Sequence, residues 1–157
     1  MKNLLKISSI FAIITGFILM CGGVWGISFT YKNIAQEKIV TAADASIPNT
    51  PLRGPRTLKA QADIIREHTL HTTGGKTYAE MPRQIAKLDA EGNPVLDEKG
   101  AAVMVPNTAR DMWITATTLT TALNLGIFSY VFSGLILFLG LISFWTGIVL
   151  SALSKKY

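Results

Sequence analysis

The chain has 157 residues, 49% of them hydrophobic and only 16% charged, with a positive mean hydropathy. That is too little charge for an ordinary soluble domain and points to membrane-spanning segments. The net charge of +5 comes mostly from lysines at the two ends, and no Lys/Arg run or basic–aromatic interleaving is present, so no nucleic acid partner is expected.

Residues 1–6 form a short basic tail containing Lys2 and Lys6. Residues 7–31, ISSIFAIITGFILMCGGVWGISFTY, carry no charge. As a helix these 25 residues reach about 37 Å, enough to cross a hydrocarbon core of roughly 30 Å. The run is longer than a signal-peptide core of roughly 7–15 residues, and no small-x-small cleavage site precedes Tyr31, so a retained anchor is expected. Cys21 follows Met20, whereas a lipidated cysteine follows a small residue. As the lone cysteine it cannot close an internal disulfide, and it reads as a small apolar helix residue. Gly22 and Gly26 form a GxxxG pair in this first span.

Residues 32–124 form the long middle segment, expected outside the cytoplasm. Its start, 32–45, continues the first helix briefly and then extends, and SIPNTPLRGP makes a stiff link. Gly54 and Pro55 open a helix over 55–72, with Leu58, Ala62, Ile65 and Thr69 on one side. Lys59–Asp63 and Asp63–Arg66 have the spacing of helix surface pairs, and Gly74–Gly75 stop the helix. Gly75-Lys76-Thr77 looks like the end of a phosphate-binding loop. The full motif, however, needs glycine where Leu70 stands and a strand before it, so no nucleotide is expected. Thr77 and Glu80 fit a capping box instead, ended by Pro82.

Glu67, His68 and His71 could turn toward one metal ion from the end of that helix. They are an incomplete zinc set and lack the HExxH order, so a polar helix terminus is the simpler reading. No Ser/His/Asp set or nucleophile elbow is present, and no catalytic residue or cofactor is assigned. Residues 88–105 read as hairpin-like short strands with turns at Glu91–Pro94 and Asp97–Gly100. Asp89, Glu91 and Asn93 imitate a calcium loop, but Gly92 is misplaced and no closing glutamate follows at the needed distance.

Between Asp111 and Lys155 lie 43 uncharged residues, more than one crossing needs. Residues 112–124, rich in Thr and Ala, are expected to approach the membrane as a helix, 125–152 to span it, and 153–157 to form a second basic tail. In this span Gly126, Ser133, Gly140 and Gly147 recur every seven residues, a spacing that keeps small side chains on one slowly drifting stripe. The stripe can pack the two spans as a hairpin, or dock them onto a partner or a second copy. Neither span holds an ionisable Asp, Glu, Lys, Arg or His, which argues against an ion or proton pathway. Trp25, Tyr31 and Trp145 suit interface anchoring. Lysines at both tails, without acids, put both ends in the cytoplasm of a plasma-membrane protein.

Trp25-Gly26, Glu37-Lys38-Ile39, Gly54-Pro55, Gln61-Ala62-Asp63-Ile64-Ile65 with His68, Gly74-Gly75-Lys76-Thr77-Tyr78-Ala79-Glu80 and Ala122-Leu123-Asn124 together resemble a family of small two-span actinobacterial membrane proteins. Members often carry the label of a LigA-type aromatic ring-opening dioxygenase, an iron activity needing a ligand set that this sequence does not display. The resemblance leaves out residues 88–105. The expected fold is membrane α: a two-helix transmembrane hairpin with a mostly helical extracytoplasmic insert carrying a short β-hairpin. The expected role is a non-enzymatic accessory or structural subunit of a membrane complex. A self-assembling pore or sensor is the alternative, and a metal-binding extracytoplasmic enzyme a third.

Overall fold

A computed structural model describes residues 1–156; Tyr157, at the end of the second tail, lies outside the described residues. The chain is mostly helical, with α1 over Lys2–Gln36, α2 over Pro55–Thr72 and α3 over Thr108–Lys156. A two-stranded antiparallel sheet pairs β1, Gln84–Ala86, with β2, Met104–Pro106, placing Ile85 opposite Val105. Two helices, α1 and α3, are long and apolar enough to cross a membrane. The approach at 112–124 and the span at 125–152 are one unbroken helix of 49 residues, about 73 Å long.

α1 and α3 pack antiparallel, and what they bury is not greasy. The buried residues of α1 are Ser9, Gly16, Gly23 and Thr30, spaced by seven. Those of α3 beyond the first turns include Ser133, Gly140, Gly147 and Ser154, again spaced by seven. The two rows face each other closely enough that backbone touches backbone. A Cβ on Gly140 would stand 2.7 Å from the Met20 amide nitrogen, and one on Gly23 would stand 2.7 Å from that of Leu137. Two hydroxyls cross the seam: Ser9 donates to the Gly147 carbonyl at 2.8 Å, and Ser143 to that of Ala12 at 3.0 Å. Ile13, Met20 and Leu137 edge the seam half-buried, while the aromatic side chains point away from it; Phe11 is 73% exposed and Trp25 and Trp145 68% each.

The GxxxG pair therefore splits. Gly26 faces the Ser133 side chain, whereas nothing lies within 4 Å of where a Gly22 Cβ would be. α1 ends where Lys38 turns left-handed, φ 53°, an uncommon conformation for a non-glycine residue. The following segment closes on itself as a compact loop. Leu52 N–H donates to the Ile39 carbonyl, and buried Thr41 exchanges bonds with Thr50 through both backbone and hydroxyl. Ala42 N–H then donates to Gln61 Oε1, fixing the loop to α2.

α2 runs back along the upper part of α3, burying Leu58, Ala60, Ala62, Ile64 and Thr69. Leu58 reaches Gly126, whose missing side chain leaves the room: the leucine Cδ1 is 3.2 Å from the ideal Cβ position. Ile65, expected on the buried side, is only half-buried, because it lines the hollow between α2 and α3.

Between β1 and β2 the chain makes two tight turns of the same design, which follow from an eight-residue repeat, LDAEGNPV and LDEKGAAV. In the first, Asp89 Oδ1 accepts from the Glu91 and Asn93 amides; in the second, Asp97 Oδ1 accepts from those of Lys99 and Ala101. Gly92 and Gly100 supply the left-handed residue each turn needs, at φ 85° and 77°. Lys87, Val95 and Val103, eight apart, close a ring of three backbone bonds: Lys87 N–H to Val103, Val103 N–H to Val95, Val95 N–H to Lys87. Pairing thus extends past the expected 88–105, into Gln84 and Pro106.

Gly140→Leu should separate the helices and cost at least about 2 kcal/mol, since overpacked backbone contacts cannot relax. Gly134→Ala, with nothing within 4 Å, should be tolerated, neutral to stabilising by up to about 1 kcal/mol. Unfolding of the detergent-solubilised chain followed by helical circular dichroism measures both.

Candidate functional site

Side-chain chemistry concentrates at three places along the part of α3 that carries α2. At the end of the small-residue seam, Tyr31 of α1 and Tyr130 of α3 hold Arg53 between them. Arg53 Nη1 donates to the Tyr31 hydroxyl at 2.9 Å, with the guanidinium 5.4 Å from that ring's centre. The Tyr130 hydroxyl donates to the Arg53 carbonyl at 2.6 Å. Both helices are thus tied to the residue just before α2.

At the opposite end, the Gly74–Glu80 loop folds onto the start of α3. Trp113, 5% exposed, donates from Nε1 to the Lys76 carbonyl at 2.9 Å and also lies 3.3 Å from Thr73 Oγ1. Arg110 stacks over Tyr78 at 3.8 Å and donates to the Met81 carbonyl at 2.5 Å. Asn107 caps α3 by accepting from the Ala109 amide, while its own amide groups donate to the Pro82 and Arg83 carbonyls. Glu80 Oε2 accepts from the Thr77 amide at 2.7 Å and from its hydroxyl at 2.8 Å, closing a capping box around the 3-10 turn Tyr78–Glu80. The Gly-Lys-Thr segment is therefore a glycine-punctuated strap, with Gly74 and Gly75 at φ 62° and 78°.

The third place is the outer face of α2. His68 Nε2 lies 2.7 Å from Asp44 Oδ2 in the loop after α1, so this histidine joins loop to helix. Glu67 and His71 are exposed and lie outside that contact. Among the described residues, no three His, Cys, Asp or Glu side chains converge as a metal site. Lys59 pairs with Asp63, whereas Arg66, the other expected partner of Asp63, lies 5.5 Å over the Trp113 ring. The aromatic face nearby outcompetes an exposed carboxylate for the guanidinium.

The helix-packing residues divide in the same way. Gly26, Ser133, Gly140 and Gly147 lie in the seam between α1 and α3, Gly126 lies under Leu58, and Gly22 faces outward. Sequence reasoning passed over Ser9, Gly16, Gly23 and Thr30, although their seven-residue spacing is as regular as that of α3. It also missed Arg53 and Trp113, which have no motif and are made important only by what folds against them.

Of the hollows that flank α2 and the upper part of α3, two are chiefly apolar. One of about 330 Å³ is apolar, lined by Ile34, Ile39, Leu52, Leu58, Leu119 and Leu123 among others. The other, about 480 Å³, is an open groove on the far side of α3, formed by Tyr78, Trp113, Ile114, Thr117, Thr118 and Thr121. Neither brings together a nucleophile, a base and an oxyanion donor, the geometry that acyl- or phosphoryl-transfer chemistry uses. Compared with known proteins, the chain matches no family model, and no curated protein or solved structure matches it.

The Glu80 carboxyl is held below its ordinary 4.5, first by the Thr77 amide and then by the Thr77 hydroxyl. Because the folded value is depressed, the stabilisation is complete above pH 4.5 and fades as pH falls through the lower folded value. The Thr77 amide resonance should titrate with a midpoint below 4.5, and Glu80→Gln should abolish that titration. Trp113→Phe removes the indole N–H bond to the Lys76 carbonyl, which keeps the Thr73 hydroxyl as its other donor, and should lower stability by about 0.5–1.5 kcal/mol in thermal unfolding.

Proposed function

We propose that this chain is a two-span plasma-membrane protein, an accessory or structural subunit that carries an extracytoplasmic cap and docks on a larger membrane complex. The membrane reading rests on an inverted hydrophobic order. α1 and α3 bury serine, glycine and threonine and expose Phe11, Phe17, Phe128 and Trp145, an arrangement that water would penalise and lipid would not. The tyrosine-to-lysine distances agree as well. Lys6 to Tyr31 and Tyr130 to Lys155 are both 25 residues, about 37 Å of helix, so the two spans present matched apolar bands. Lys2, Lys6, Lys155 and Lys156 at one end of the pair favour a cytoplasmic location for both termini.

The single observation that carries the structural role is how the external polar groups are used. Asp44 engages His68; Glu80, Asp89 and Asp97 accept from backbone amides; Arg53, Arg110 and Asn107 fasten loops to helices. Groups that an enzyme would direct into a cleft here maintain the shape of the cap. The small-residue seam is occupied by the chain's own helices, so docking would use outward faces: the apolar flanks of α1 and α3, and the groove beside Tyr78 and Ile114.

Extraction in a mild neutral detergent followed by native mass measurement tests this role. A mass well above the monomer with other polypeptides present is the expected result. A closed ring of this chain alone would favour a self-assembling pore, and a bare monomer with bound iron or zinc would overturn the subunit reading. In a Cys21→Ser background, cysteine replacing Glu98 should react with a membrane-impermeant maleimide on intact cells, and cysteine replacing Lys156 should react only after lysis.

A further inference from the structure

Three cations belong to the segments where the apolar bands end on the capped side. Lys32 follows Tyr31 directly, Arg53 is bound to Tyr31 and Tyr130, and Arg56 lies three residues further, in the first turn of α2. None of the three is paired with an acid: among the described residues the ion pairs are Lys59–Asp63 and His68–Asp44. Arg53 spends one donor on the Tyr31 hydroxyl and its carbonyl on Tyr130, which fixes the depth and direction of the guanidinium. Among the described residues its other guanidinium N–H groups make no hydrogen bond, and the residue is exposed.

We propose that Arg53, flanked by Lys32 and Arg56, binds the phosphate of an anionic phospholipid in the outer leaflet. The inference rests on the membrane reading above, because that reading sets the tyrosine pair at the lipid headgroups. A planar guanidinium with free parallel donors matches a phosphate's paired oxygens. Aromatic hydroxyl groups at the same depth are common where apolar chains give way to headgroups. Each basic side chain near an anionic leaflet raises lipid affinity by about fivefold, and a pre-oriented guanidinium adds selectivity for the phosphate. Lipid bound here would press on the residue joining both spans to α2, so headgroup composition would reach the cap through Arg53.

The test uses the full chain in neutral detergent with phosphatidylglycerol or phosphatidylcholine added, bound lipid being counted by native mass spectrometry. Wild type should retain one phosphatidylglycerol in preference to phosphatidylcholine. Arg53→Gln should weaken that retention at least about fivefold, with Arg53→Lys intermediate. Tyr31→Phe, which keeps the ring but frees the guanidinium, should reduce the preference, while the pair Lys155→Gln and Lys156→Gln at the other face should leave it unchanged. Equal retention by Arg53→Gln with unaltered helical circular dichroism would overturn the proposal, as would displacement of the lipid by millimolar inorganic phosphate. Carbonate washing of cell membranes separates the two levels. A chain released by the wash refutes the membrane reading, whereas a chain that stays but binds lipid independently of Arg53 refutes only the lipid site.

Discussion

The structure depends on backbone contact between α1 and α3. Ser9, Gly16, Gly23 and Thr30 on one helix meet Ser133, Gly140, Gly147 and Ser154 on the other, each row spaced by seven. Missing side chains let the helix axes approach until main-chain atoms and short hydroxyls form the contact. Dispersion across so close a seam, with two hydroxyls donating over it, replaces the buried aliphatic core of a soluble helix pair. A seven-residue repeat drifts by only about 20° every two turns, so slight left-handed coiling of the pair is enough to keep both rows in contact.

Everything above the seam is organised by that register. Because α1 and α3 are locked antiparallel, Tyr31 and Tyr130 arrive beside the same arginine, and Arg53 then sets where α2 begins. From there Leu58 enters the gap at Gly126 and α2 ascends along α3 to Thr73, whose neighbourhood Trp113 closes. The buried apolar set of the cap is small, with Leu52 and Leu58 its largest fully enclosed side chains. A cap with so little core is held by hydrogen bonds at its joints and by the long helix it leans on. The twin-turn ribbon is the most self-contained part, since each aspartate satisfies its own turn and three valine- and lysine-centred backbone bonds close the ring.

The long apolar helices were legible because charge is absent over long intervals, and α2 because Gly54–Pro55 and Gly74–Gly75 bracket it. Thr77 and Glu80 were legible because a capping box is local in sequence. Other features were hidden for physical reasons. In α1 the Ser9–Gly16–Gly23–Thr30 row mixes residue types, so a nearby GxxxG drew the eye although Gly22 points outward. The eight-residue repeat was masked by differing charges at Glu91 and Lys99, even though Asp89 and Asp97 do the same work. The helix-end histidines looked like a pair, yet His68 found Asp44, 24 residues away. Such long-range partners are fixed by tertiary register, which no local pattern carries.

The seam itself is tested most directly by a disulfide. A Cβ on Gly26 would stand 3.1 Å from the Ser133 Cβ, close enough for a bridge after slight relaxation. With Cys21 replaced by serine, cysteines at 26 and 133 should link on mild oxidation into a species that migrates as a compact monomer, while cysteines replacing Gly22 and Gly134 should not. A covalent dimer from the first pair, or no bond at all, would contradict an intramolecular seam.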